Sequence, residues 1–143
     1  HIAPLGNVYQ AGTLSGNPIA MIAGFTMLTT LKSNPIIYTE LEEKTSYLKN
    51  GLTKVFEEYK QPFVINQFGS MMSIHFSDHP VTDFARAASA NNHLFNKFFH
   101  AMLKRGVYLP PSAFESWFLN NALTYADLDE TINNAKLSLA EIL

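Results

Sequence analysis

The chain of 143 residues contains no cysteine. That excludes disulfides, thiolate-ligated zinc and a thiol nucleophile, and it suits a cytoplasmic setting. Charge is also scarce, with 15% Asp, Glu, Lys and Arg and a formal net charge of -2. Without a basic excess there is no electrostatic footprint for nucleic acid or for an anionic membrane surface. No apolar run reaches the length of a membrane span, and no signal peptide is visible. A P-loop is excluded because no Gly-Lys-Ser/Thr follows the glycine-rich loop, and a G-x-S-x-G nucleophile elbow is missing too. The chain also lacks an initiating methionine, and His1-Ile2-Ala3-Pro4 reads as mid-protein sequence. A piece of a longer protein is therefore expected.

What is present is a globular composition, 47% hydrophobic with a mean hydropathy near zero. Its length allows one domain with a real core. Pro4, Gly6, Gly12 and Gly16 mark an extended lead-in and a loop. A helix is expected from Pro18, capped by Ser15 or Asn17. Its face of Ala20, Ala23, Gly24, Met27, Leu28 and Leu31 predicts close packing against another element. Ser33-Asn34-Pro35 breaks it, and an amphipathic helix over Ile36 to Tyr59 carries Leu41, Thr45, Leu48, Leu52, Val55, Phe56 and Tyr59 on one side.

Two strands are expected at Phe63 to Asn66 and Ser70 to Phe76, parted by Gln67-Phe68-Gly69. Met72, Ile74 and Phe76 alternate with Ser73 and His75, which predicts a half-buried strand. Val81 to Ala90 leaves loop and short helix both open. Asn91 to Arg105 predicts a helix with Leu94, Phe95, Phe98, Phe99, Met102 and Leu103 on one face, stopped by Gly106. Val107 to Leu109 and part of Phe114 to Leu119 read as short strands. Thr124-x-x-Asp127 predicts a capping box for a last helix lined by Leu128, Ile132, Ala135, Leu139 and Ile142. The expected fold is α+β, a short, mostly antiparallel sheet with helices packed on one face.

Gly12-Thr13-Leu14-Ser15-Gly16 carries the strongest chemical signal. Glycines admit a ligand close to the backbone, free N–H groups at a helix start favour an anion, and Thr13 adds a hydroxyl. Read alone, the loop is an ordinary helix start before it is a phosphate site. His75, His79, His93 and His100 have no spacing that converges on a metal, so they read as surface or core histidines. Glu115, among prolines and aromatics, reads as solvent-exposed before it reads as a site carboxylate. All eight lysines fall on or near the ends of amphipathic helices, so none reads as a Schiff-base nucleophile.

Three stretches resemble one family. VYQAGTLSGNPIAMIAG (Val8 to Gly24) is similar to the segment after the cofactor lysine of glutamate-1-semialdehyde 2,1-aminomutases, within the class-III aminotransferases. FGSMMSIHFSDHPVTDF (Phe68 to Phe84) resembles their small-domain strand and the loop after it. FNKFFHAMLKRGVYLPPSAFESWFLNNALT (Phe95 to Thr124) resembles their late helix, strand and active-site turn. The resemblance implies the C-terminal small domain of a fold-type I, pyridoxal-phosphate-dependent homodimer, with residues 1–33 leading in from a large domain and 34–143 forming the small one. The implied reaction isomerises glutamate-1-semialdehyde to 5-aminolevulinate for tetrapyrrole (porphyrin) synthesis, moving an amino group between adjacent carbons of one substrate. It also implies that Gly12 and Thr13 reach the cofactor phosphate of the partner subunit and that Glu115 lines the substrate pocket. The Schiff-base lysine would lie upstream of His1, so no catalytic residue and no metal ligand is assigned within the chain. Leu123 stands where the family commonly has histidine, and Pro110 and Trp117 replace smaller or different residues.

Two other functions fit the residues: a class-III aminotransferase that uses a 2-oxo acid acceptor, and a non-enzymatic docking module using the aromatic helix from Asn91 to Arg105. With no suitable lysine, this chain alone is expected to be inactive and to bind pyridoxal phosphate weakly or not at all. Absorbance titration checks this. A stable band of lysine-bound cofactor, abolished by replacing one of the eight lysines, would contradict it.

Overall fold

The computed structural model describes all 143 residues, which divide into two units, His1–Pro35 and Ile36–Leu143. In the first, a local loop is closed by Ala3 N donating to the Val8 carbonyl at 2.9 Å and Val8 N to the His1 carbonyl at 2.9 Å. It leads to helix α1, Pro18–Ser33. Asn17 is the cap, its side-chain oxygen accepting from the N–H groups of Ile19 (3.0 Å) and Ala20 (3.2 Å). The close packing expected for the small-residue face of α1 is absent. Every residue of α1 except Leu31 is exposed, and a side chain at Gly24 would meet open space.

The second unit runs α2 (Ile36–Glu58), β1 (Val64–Phe68), β2 (Met71–His75), α3 (Phe84–Ser89), α4 (Asn92–Lys104), β3 (Trp117–Phe118) and α5 (Tyr125–Ile142). The three strands form one antiparallel sheet in the order β1-β2-β3. Helix α2 packs on β1 and β2, and α5 packs on both α2 and α4. The expected α+β class, antiparallel sheet and helical layer are all present.

The core forms where apolar stripes meet. Leu48, Leu52, Val55 and Phe56 of α2 join Met72, Ile74 and Phe76, then Phe95, Phe98 and Met102 of α4, and Leu128, Ala135 and Leu139 of α5. Phe56 is fully buried, with its ring centroid 5.0 Å from Phe63, 5.6 Å from Phe76 and 6.0 Å from Phe98. Such pairs add about 0.5–1.5 kcal/mol each to the area buried. Gly51 has a separate task, because a Cβ there would collide with the Ile132 side chain of α5. Across the same surfaces Tyr47 donates to Asp129 at 2.6 Å and Lys136 pairs with Glu58 at 2.8 Å.

The termini follow local chemistry. Helix α4 starts on Asn91, whose side chain accepts from Leu94 N at 3.0 Å. It ends on Gly106 at φ +83, where Gly106 N reaches the Leu103 carbonyl and Val107 N the Met102 carbonyl, both at 3.0 Å. That pair of bonds is a Schellman motif. It accounts for the strand expected at Val107 to Leu109, which does not form. The Val107 N–H is spent on the helix end, and Pro110 and Pro111 have none to offer a ladder. The expected capping box at α5 is present, with Thr124 and Asp127 each accepting from the other's backbone N–H.

Three further expectations are corrected. The hairpin turn is Gly69-Ser70, not Gln67-Phe68-Gly69, since Phe68 pairs with Met71 and Gly69 alone takes a positive φ, +55. Leu103 is largely exposed, the apolar face of α4 being completed instead by buried Ala101. His75, expected on the wet side of β2, is buried. The segment after β2 folds back over that side, as shown by Asn66 Nδ2 donating to the Val81 carbonyl at 2.9 Å. The open stretch Val81 to Ala90 resolves into α3, capped by Asp83 accepting from Arg86 N at 2.9 Å.

Phe56→Ala is expected to cost about 3–5 kcal/mol in denaturant unfolding, because it empties the junction of three elements. Burial lowers the pKa of His75 from its ordinary 6.5. The unfolded chain therefore takes up that proton at a higher pH than the folded one. Stability from keeping His75 neutral is present above about 6.5 and lost as the pH falls toward the lowered value. Unfolding midpoints measured between pH 7.5 and 5 check this, with the slope shrinking in His75→Leu.

Candidate functional site

Gly12 and Thr13 lie in the first unit and Glu115 in the second. In the loop, Ser15 N donates to the Gly12 carbonyl at 3.0 Å and Asn17 N to the Leu14 carbonyl at 3.0 Å. Gly16 takes φ +78, the left-handed conformation that turns the chain into α1. A Cβ at Gly12 would fall on the hydroxyl of exposed Ser15, a contact that rotation of the serine side chain relieves. The backbone N–H groups of Gly12, Thr13 and Leu14 and the Thr13 hydroxyl donate to nothing within the chain. All three residues are exposed.

This moves the anion-binding capacity. The sequence suggested the N-terminus of α1, but Asn17 already occupies the Ile19 and Ala20 N–H groups, and Pro18 has none. What stays free is the backbone N–H groups of Gly12, Thr13 and Leu14 and one hydroxyl, a short run of exposed donors, the type of group that hydrogen-bonds phosphate oxygens. These residues fit a phosphate-bearing cofactor.

Glu115 is exposed, and its backbone N–H donates to the Ser112 carbonyl at 3.1 Å. It sits on the lip of a cavity of about 640 Å³ between residues 107–119 and the facing sides of α2 and α5. Leu48, Leu119, Leu123 and Leu128 form apolar walls. Trp117 forms another wall and is buried, and its indole Nε1 has no hydrogen-bond partner. An unpaired buried donor of this kind costs about 1–3 kcal/mol. Trp117 points to this side because it pairs with Met72, and cross-strand partners share a face.

The opposite face of the sheet carries a row that sequence reading missed. Phe68, Met71 and Phe118 are register partners, with Phe68 and Phe118 81% and 68% exposed. The turn assigned to Gln67-Phe68-Gly69 had hidden Phe68, and a two-residue strand has no periodicity to read. No group of histidines and carboxylates forms a cluster that could hold a metal ion. No helix is long and apolar enough to cross a membrane. The aromatic face of α4, the candidate docking surface, is buried in the core.

The family described as Aminotransferase class-III matches residues 1–140, and the chain belongs to it. A glutamate-1-semialdehyde 2,1-aminomutase from Flavobacterium johnsoniae is 56% identical over 133 residues, 93% of this chain and 31% of that protein. The chain thus spans about a third of the length of the curated relatives it matches. Among solved structures, an omega-transaminase from Sphaerobacter thermophilus aligns with a TM-score of 0.76 at 21% identity, over 98% of this chain and 32% of that one. A glutamate-1-semialdehyde aminomutase from Pseudomonas aeruginosa PAO1, in complex with PMP, aligns with a TM-score of 0.67 at 22% identity. That match covers 75% of this chain and 24% of the other. The fold of this chain is therefore that of the corresponding third of class-III transaminases.

Proposed function

We propose that the chain is the C-terminal part of a glutamate-1-semialdehyde 2,1-aminomutase, a pyridoxal-phosphate-dependent cytoplasmic enzyme of tetrapyrrole synthesis. The observation that carries this is the 56% identity to an aminomutase, sustained over 93% of the chain. Residues 1–33 lead in from the large domain and 34–143 form the C-terminal small domain. Gly12 and Thr13 offer their N–H groups and hydroxyl to the cofactor phosphate of a second subunit, which makes the working enzyme a homodimer. Helix α1, apolar on nearly every side yet exposed, is a helix that other protein covers in the longer molecule.

Pyridoxal phosphate, when bound, supplies the electron sink for moving the amino group. The role of this chain is to bind and orient. The glycine loop anchors an anion without using a charged side chain. Glu115 presents a carboxylate at the mouth of an apolar cavity, where it can hold an ammonium group of the substrate.

The test uses the full-length protein. Glutamate-1-semialdehyde is expected to become 5-aminolevulinate with no added amino acceptor. A strict requirement for a 2-oxo acid would replace the proposal with an ordinary class-III aminotransferase. Thr13→Val is expected to weaken cofactor retention about tenfold on dialysis, read by absorbance, for the loss of one hydrogen bond to a charged group. Glu115→Gln is expected to lower kcat/KM by about tenfold or more while cofactor content stays unchanged.

A further inference from the structure

Charge in the second unit is unevenly placed. No Asp or Glu occurs between Asp83 and Glu115, a stretch that carries Arg86, His93, Lys97, His100, Lys104 and Arg105. Four of these fall at helical spacing on α4, where His93, Lys97, His100 and Lys104 follow one another by four, three and four residues. They form one exposed row, opposite the face that α4 buries in the core. At a rise of about 1.5 Å per residue the row is about 16 Å long. It borders a groove of about 460 Å³ against the end of α5, with Ala101 and Ile142 as its apolar part. One end of the row already holds a carboxylate. Glu141, the only acidic residue on the groove, accepts from Lys104 Nζ at 3.1 Å and from Arg105 Nη2 at 2.7 Å. The rest of the row is free: Lys97 has no ion-pair partner, and the side chains of His93, Asn96 and His100 hydrogen-bond to nothing in the chain.

We propose that this row is a docking site for an acidic segment of a partner protein, which lies along α4. Its carboxylates accept from Lys97 Nζ, from the ring N–H groups of His93 and His100 and from the Asn96 amide, as Glu141 does from Lys104 and Arg105. Charge complementarity selects this occupant, because the row offers donors and cations while the one carboxylate beside it is already paired. Exposed pairs are individually weak, so recognition needs several at once, and a helix holds these side chains at a fixed spacing. Nucleic acid fits less well. No Phe, Tyr or Trp lines the groove for base stacking, and the chain as a whole is negative. The row shares no residue with Gly12, Thr13 or Glu115, so the proposal stands apart from the function proposed above.

The test uses the full-length protein and a fluorescein-labelled hexaglutamate peptide, read by fluorescence anisotropy at low ionic strength. Saturable binding is expected. Lys97→Glu, a change at an exposed position, is expected to weaken it about tenfold or more, and Lys97→Arg to preserve it within about twofold. Lys54→Glu makes the same change in net charge at an exposed position of α2 outside the groove. It is expected to alter the affinity by less than about twofold. An oligothymidylate of equal charge is expected to bind about tenfold more weakly than the peptide. The absence of saturable peptide binding would overturn the proposal. So would equal weakening by Lys54→Glu and Lys97→Glu, which would reduce the effect to net charge, or an oligothymidylate that binds as tightly as the peptide.

Discussion

The contact of Phe56 with Phe76 and Phe98 joins three segments that lie far apart in the chain. Helix α2 brings Phe56, the end of β2 brings Phe76, and α4 brings Phe98. Each element is too short or too exposed to be stable alone, since an isolated hairpin or a single amphipathic helix is marginal in water. Their shared aromatic volume makes burial cooperative. Helix α5 closes the layer through Leu128, Ala135 and Leu139, and it approaches closely because Gly51 leaves room for Ile132.

The site features depend on that packing. Pairing of Met72 with Trp117 turns the indole toward the cavity and leaves Phe118 on the other side of the sheet. The Schellman ending of α4 sets where residues 107–111 depart, and these residues form one wall of the cavity. Glu115 is thus positioned by a helix stop and a two-residue strand. Surface pairs such as Lys104 and Arg105 with Glu141 contribute little by comparison, because exposed ion pairs are screened.

The glycine loop depends on different physics. Nothing apolar holds it in place; its shape comes from two backbone hydrogen bonds and the positive φ of Gly16. Its unused donors are not at the helix end, because Asn17 takes that role. A loop arranged in this way leaves backbone donors for an oxyanion without a nearby positive side chain.

Local chemistry alone determined much of this protein. The stop at Gly106, the capping box of Thr124 and Asp127, the apolar stripes of α2, α4 and α5, and the alternation of β2 were all legible, because each depends on residues within a few positions of one another. The three quoted stretches carried the family resemblance for the same reason. Tertiary structure decided the rest. His75 is buried because the chain after β2 folds back across that face of the sheet, and α1 is exposed although its composition is apolar. The cavity that joins Glu115 to Trp117 exists only once residues 107–119 close against α2 and α5, a long-range packing event with no local sequence period to announce it.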